Sequence, residues 1–364
     1  MTVRAAVIPQ AHASVEVREF AEPELEPNSA LLQVELSEVC GTDVHLRAGR
    51  LQGVPYPLIP GHVTVGRLEK IRGSLRDVEG LPLREGDRIT FLDVHRTCHA
   101  CWFCLVVKAT TRCPQRKVYG ITYGARDELA GGWAEKMYLK PDTRCLSLGE
   151  TDAERFMAGG CSLPTSLHAI ERAQIRIGDC VLVLGSGPVG LAAIALARLS
   201  GAGRVLCVGA PDGRLAAAHA MGAAHTLNFQ NTSHAERLQW VHDHTSGRGA
   251  DVTVEAAGAP QAVVDALRFT RDAGRVVVVG QYTDHGDVSF NPHLDLNRKH
   301  LEVRACWGSD FSHFYRAVEL MKDAALSAAW DTLKLQRFGL DQADHALEQV
   351  ATGSVIKALI DPAL

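Results

Sequence analysis

Cys40, Thr42, Asp43 and His45 fall within six residues of the stretch EVCGTDVH. His62 follows in IPGHVTVG, and Cys161 stands in GGCSLPTSLH. Taken singly, each has an ordinary explanation, since a free cysteine is often a small buried hydrophobe and a histidine beside glycine can be a turn residue. Taken together, two thiols and an imidazole are the donor set of a catalytic zinc site, which keeps its fourth coordination position open. Two thiolates and a neutral imidazole offset the ion's charge and leave Lewis acidity at that position. A second group is denser. The stretch CHACWFCLVVKATTRC places Cys98, Cys101, Cys104 and Cys113 in the pattern C-x2-C-x2-C-x8-C. In a reducing compartment such a cluster points to metal rather than to disulfides, with a turn carrying spare thiols or a nucleic-acid zinc ribbon as the alternatives. A ribbon would want a basic surround, whereas the charge near these cysteines is mixed.

A third group carries phosphate chemistry. In VLVLGSGPVGLAAIALA, Gly185, Gly187 and Gly190 form G-x-G-x-x-G between an apolar run and a helix-forming run, the context that gives this pattern meaning. Gly185 permits the tight turn, Gly187 lets a pyrophosphate approach the backbone, and Gly190 lets helix and strand pack closely. The helix opened by Pro188 and Val189 offers free N–H groups to the phosphates. An NAD-binding version places an acidic residue at the end of the next strand, about 20 residues on. Here that position is Gly209, and Arg214 follows nearby. Absence of the carboxylate removes repulsion against a 2′-phosphate, and the arginine supplies positive charge, so the sequence favours NADP over NAD.

The elements that must position these groups change character along the chain. The first 160 residues read as β-rich and irregular. ALLQVELSEVC has the partial alternation of a half-buried strand, VPYPLIPGH is an extended loop, and RITFL and AEKMYL are short strands. From about residue 165, CVLVLGSG, RVLCVGA, ADVTVEAAG and GRVVVVGQ alternate with the helical runs LHAIERAQI, PVGLAAIALARLSGA, DGRLAAAHAMGA and QAVVDALRFTR. Short connections between them imply a parallel sheet covered on both faces. After about residue 305 the alternation fades into a helix, FYRAVELMKDAA, and a last strand, SVIKALIDP. The layout is a β-rich domain, an inserted α/β domain and a short return segment.

The whole chain agrees with two domains, since 364 residues exceed one ordinary core. A charge of −4 gives no reason to expect nucleic acid or an anionic membrane surface. No run of eighteen apolar residues exists to span a bilayer, and MTVRAAVIPQAHASVEV lacks the apolar core of a secretory signal. A cytoplasmic location is expected.

The ordered motifs resemble those of the zinc-dependent medium-chain alcohol dehydrogenases over nearly the full length: C-G-x-D-x-H, P-G-H, the four-cysteine stretch, G-x-G-x-x-G and DVTVEAAGAP. The resemblance implies an α/β protein. Its GroES-like catalytic domain would span residues 1–162, with a structural zinc lobe at about 94–115. A Rossmann domain for NAD(P) would span 163–306, and residues 307–364 would complete the catalytic domain. It implies Cys40, His62 and Cys161 as catalytic zinc ligands, and Cys98, Cys101, Cys104 and Cys113 as ligands of a structural zinc with no open position. It further implies Asp43 as the carboxylate orienting the zinc histidine, Thr42 as the hydroxyl on the alcohol, and His45 as the outer end of a proton relay. Thr165 would contact the nicotinamide and Lys357 the cofactor phosphates. One departure stands out: Val63 follows His62 where the family usually has Glu, which favours Cys/His/Cys over Cys/His/Glu. The implied reaction is reversible oxidation of an alcohol, secondary or polyol-like, to a carbonyl. Rival readings are a zinc-free reductase of activated double bonds and a silent nucleotide-binding protein. Asp93 and His95 are expected at the substrate cleft or facing solvent, with Trp307 and Phe311 either at the cleft's edge or in the core. The apolar runs RVVVVGQY and LEVRACWG are expected to pair between subunits of a homodimer or homotetramer.

Overall fold

The computed structural model describes residues 2–126 and 128–364. Two compact units emerge. One comprises Met1–Cys161, Asp310–Asp323 and Lys334–Leu364; the other comprises Ser162–Ser309 and Ala324–Leu333. The segment Ala324–Leu333 thus belongs with the second unit, within what the sequence reading assigned to the return segment.

In the first unit a seven-stranded sheet is built around Ser29–Val39. The strands run in the order Cys145–Ser147, Arg88–Phe91, Thr64–Arg72, Ser29–Val39, Lys357–Ile360, Leu335–Phe338, and Lys136–Leu139 also pairs with Ser29–Val39. The last strand of the chain lies antiparallel to the first strand of this sheet, with Leu359 opposite Glu38 and Ile360 opposite Ser37. The expected half-buried alternation of Ser29–Val39 holds only in its middle, where Gln33 is exposed and Glu35 half-buried; both ends are buried throughout. The reason is its central place, packed by one cluster containing Val39, Trp133 and Ile360 and another containing Leu32, Val34 and Met137. Ser37 and Glu38 are therefore polar residues deep in the unit.

The second unit is a six-stranded parallel sheet in the order His225–Asn228, Arg204–Gly209, Cys180–Leu184, Ala250–Glu255, Thr270–Val278, Glu302–Ala305. Apolar runs such as VLVL are buried because helices cover the sheet; in the helix Pro188–Leu199, every residue from Gly190 to Ala197 is buried. Strand order reverses beside Cys180–Leu184, and ligands of such sheets bind at the carboxyl ends of the strands at this reversal. Thr270–Val278, which carries the first half of the apolar run RVVVVGQY, is paired on both sides. Contrary to the sequence expectation, this strand has no free backbone edge for strand pairing between subunits. Glu302–Ala305 is one edge strand of this sheet, and His225–Asn228 is the other. All ten cysteines are thiols, and among the described residues no helix is long and apolar enough to cross a membrane.

Candidate functional site

Cys40 ends the Ser29–Val39 strand and caps the helix Gly41–Arg47. Its thiol accepts from Thr42 N–H (3.3 Å), while Asp43 Oδ2 accepts from Cys40 N–H (2.8 Å). This reciprocal cap satisfies two helix N–H groups, and it fixes the Cys40 side chain. His62 is 4% exposed; its Nε2 lies 3.7 Å from Cys40 Sγ and 3.3 Å from Cys161 Sγ. Zn–S near 2.3 Å and Zn–N near 2.05 Å would make tetrahedral S···N edges of about 3.5 Å, so the three ligand atoms fit one ion. All three lie within 4.8 Å of one another.

The surroundings of His62 fit the same ion. Asp43 is fully buried, and its Oδ1 lies 3.9 Å from His62 Nδ1. Neither atom has a hydrogen-bond partner among the described residues. A carboxylate facing Nδ1 favours the tautomer with a proton there and leaves the Nε2 lone pair to a metal. Electrostatics converge too. Burial, then the Cys40 thiolate, raise the Asp43 carboxyl well above its usual range. Burial would lower His62, but the Cys40 thiolate overrides it and carries the ring to about 10. A dication held by Cys40 and His62 would displace the ring's proton, because a coordinating histidine is neutral. Val63 is buried and brings no carboxylate. Its backbone C=O accepts from Glu38 N–H (3.0 Å).

The four-cysteine stretch forms a second constellation, with Cys98, Cys101, Cys104 and Cys113 also within 4.8 Å of one another. Sγ–Sγ separations of 3.6 Å for Cys101–Cys104 and for Cys98–Cys113 approach the edge of about 3.8 Å expected for four thiolates on zinc. Cys98 Sγ accepts from Cys101 N–H, and Cys113 Sγ accepts from Cys98 N–H, both at 3.3 Å. Such N–H bonds support thiolate character, and the backbone N–H of Ala100 first among them brings Cys98 down to about 6.

In the second unit, Gly187 caps the helix Pro188–Leu199 without a side-chain hydrogen bond, leaving the first-turn N–H groups for an anion. A cavity of about 480 Å³ brings Gly185, Gly187, Gly209 and Arg214 together. Gly209 faces Ser186 so closely that a Cβ would sit 2.4 Å from its hydroxyl. Ser186 Oγ in turn bridges Ala210, accepting from its N–H and donating to its C=O, both at 3.1 Å. Burial lowers Arg214 from the usual arginine value. The sequence reading missed Ser186, Phe229, Arg237 and Ala256–Ala257, which also line the cavity; each follows or faces the carboxyl end of a strand, which is the signal that could have found them. Pro188 and Val189 open the helix; Gly190 is buried in its packing and Thr165 lies in the helix Ser162–Ala173.

Two expectations are corrected, and one left open is narrowed. Lys357 is 1% exposed, and its ammonium pairs with Glu38 and donates to Gly159 C=O. It is therefore committed to an internal carboxylate rather than presented to a cofactor phosphate. His95 joins Tyr123 OH (2.6 Å) and Pro141 C=O (2.8 Å), a structural tie rather than a substrate contact. Trp307 donates to Tyr282 C=O (3.0 Å) and stacks on its ring, which makes it a packing residue.

A parallel nucleotide-type sheet and a β-rich unit with a Cys/His/Cys set and a four-thiol set define the architecture of a metal-dependent dinucleotide oxidoreductase. Residues 26–150 match the alcohol dehydrogenase GroES-like domain family, and residues 188–323 match the zinc-binding dehydrogenase family. The chain is 33% identical to 5-exo-hydroxycamphor dehydrogenase of Pseudomonas putida over 347 residues, 93% of each chain. It is 31% identical to an alcohol dehydrogenase of Thermotoga maritima whose crystal structure superposes over 99% of both chains with a TM-score of 0.91. A zinc-binding dehydrogenase of Sinorhizobium meliloti 1021, solved bound to NADP, superposes over the whole of both chains at 25% identity and a TM-score of 0.85. This chain belongs to the zinc-dependent medium-chain alcohol dehydrogenase family, and it is an oxidoreductase.

Proposed function

We propose that this enzyme oxidises a secondary or polyol-like alcohol to the carbonyl, reversibly, with NADP preferred to NAD. The observation that carries the chemistry is the convergence of Cys40, His62 and Cys161 on one point beside buried Asp43. When bound there, zinc would supply the Lewis acidity that lowers an alcohol's pKa, and the nicotinamide would take the hydride. Cys40, His62 and Cys161 hold the ion, and Asp43 orients His62. Thr42 hydrogen-bonds the alcohol hydroxyl and would take its proton while giving up its own towards the cofactor ribose and His45. His45 lies three residues on, on the same face of the helix Gly41–Arg47, and passes the proton towards solvent. Cys98, Cys101, Cys104 and Cys113 hold a second, structural zinc. A secondary alcohol is supported by the P. putida relative, whose name specifies a hydroxycamphor.

The NADP preference is supported by Gly209 and Arg214. Ser186 fills the place a carboxylate at residue 209 would need, and Arg214 lines the same cavity. A charge-assisted hydrogen bond to a phosphate contributes about 1.5–3 kcal/mol, or roughly 10–100-fold. Steady-state kinetics on a panel of secondary alcohols and polyols with both cofactors test the assignment. Arg214→Ala should lower kcat/KM for NADP by that factor and leave NAD nearly unchanged; a wild-type preference for NAD overturns it. Ten reduced thiols agree with a cytoplasmic enzyme. The open edge of Glu302–Ala305 suits assembly with a second copy.

A further inference from the structure

Glu38 and Lys357 are 2% and 1% exposed, stand 319 residues apart in sequence, and form an ion pair in the interior of the first unit. Both groups also reach one short turn. Lys357 Nζ donates to Gly159 C=O (3.2 Å), and Glu38 Oε2 accepts from Cys161 N–H (2.6 Å). The residue between them is Gly160, at φ +45°, where a Cβ would lie 2.1 Å from Glu38 Oε2 and 2.8 Å from Lys357 Nζ. The pair therefore grips the backbone on both sides of a residue that has to be glycine. Cys161 lies between the helix Ala153–Gly159 and the helix Ser162–Ala173, so the place of its thiol depends on the turn that joins them. A buried ion pair is poor evidence of stabilisation, because apolar residues of the same volume often hold a core as well. Its geometry here serves position instead.

We propose that Glu38 and Lys357 are positioning residues that set Cys161 Sγ against His62 Nε2 and thereby determine how tightly the three-ligand site holds its metal. The proposal rests on reading Cys40, His62 and Cys161 as that site. The pair does not touch the metal; it works through the 159–161 backbone. Removing partners at this remove from a metal typically costs about 10–100-fold in affinity.

The test is zinc release from the full-length enzyme to a chromogenic chelator, with Cys104→Ser identifying which ion belongs to the four-cysteine lobe. Wild type should release two ions with distinct rates. In the double variant Glu38→Leu with Lys357→Met, the ion of the three-ligand site should leave about 10–100-fold faster while the lobe ion keeps its rate. Cobalt substituted into the three-ligand site should show a shifted visible spectrum. A pair with only a packing role would change the thermal midpoint and neither metal readout. A folded double variant releasing both ions at wild-type rates overturns the proposal. Should the double variant fail to fold, the near-isosteric Glu38→Gln carries the same decision: faster release supports the clamp and unchanged release overturns it. If wild type yields only the ion abolished by Cys104→Ser, the three-ligand reading itself falls, and the clamp with it.

Discussion

At the scale of single residues, Gly209 shows how a side chain can be excluded by its neighbour. The Ser186 hydroxyl occupies the space next to its Cα and is itself held by Ala210. Gly209→Ala should therefore overpack the strand end and cost about 1–3 kcal/mol. Ser186→Gly should relieve most of that in the double variant, so chemical denaturation of the four proteins in the cycle should give a coupling of similar size; additive effects would count against the contact. The grouping of Cys40, His62 and Cys161, and of Cys98, Cys101, Cys104 and Cys113, was legible from residue type and spacing, and in each group the ligand atoms lie within 4.8 Å of one another. Glu38 was not legible. A lone glutamate in a strand reads as a solvated charge, and its partner Lys357 lies at the other end of the chain, where only the fold brings it close. The same blindness assigned Lys357 to a phosphate.

At the scale of elements, the strongly periodic or wholly apolar segments were readable, and those whose support is tertiary were not. The helix His234–His244 buries only Val241, so its sequence carries little amphipathic signal. The helix Gly41–Arg47 is seven residues long and owes its start to the Cys40–Asp43 cap rather than to propensity. Capping gives a direct prediction at the helix Phe311–Lys322. Asp310 accepts from Ser312 N–H (2.9 Å) and His313 N–H (3.4 Å). The His313 ring first, and then the Ser312 hydroxyl, hold its carboxyl below the usual aspartate range. Asp310→Ala should cost about 1 kcal/mol near neutral pH. The sign of the pH effect follows from the direction of the shift: a carboxyl whose folded value is depressed contributes fully above about pH 4 and loses that contribution as the pH falls below it. Thermal melts of both proteins from neutral pH downwards should show the difference narrowing below about pH 4; a constant difference would assign the loss to packing rather than to the charged cap.

At the scale of the whole molecule, the chain order β-rich, α/β, return was readable because strand–helix alternation starts and stops abruptly. The place of the final strand was not, since nothing in SVIKALIDP says that it pairs with residues 37–39. The free sheet edge was half legible. Two apolar runs looked equally able to join subunits, and topology separates them by placing Thr270–Val278 inside the sheet and Glu302–Ala305 at its edge. An unpaired edge with Val303 46% exposed is a template for a matching strand, and a two-fold axis beside it would let two identical edges pair with each other. Lysine on an edge strand is a device that blocks such pairing. Light scattering on the eluting protein should therefore give a multiple of 39.3 kDa for wild type, and Val303→Lys should shift it to a smaller assembly while the zinc content stays unchanged. A Val303→Lys protein of wild-type mass would move the subunit contact elsewhere on the surface. The exposed face of the four-cysteine lobe, with Trp102, Leu105 and Val106 each about 60% exposed, would then be the next place to substitute.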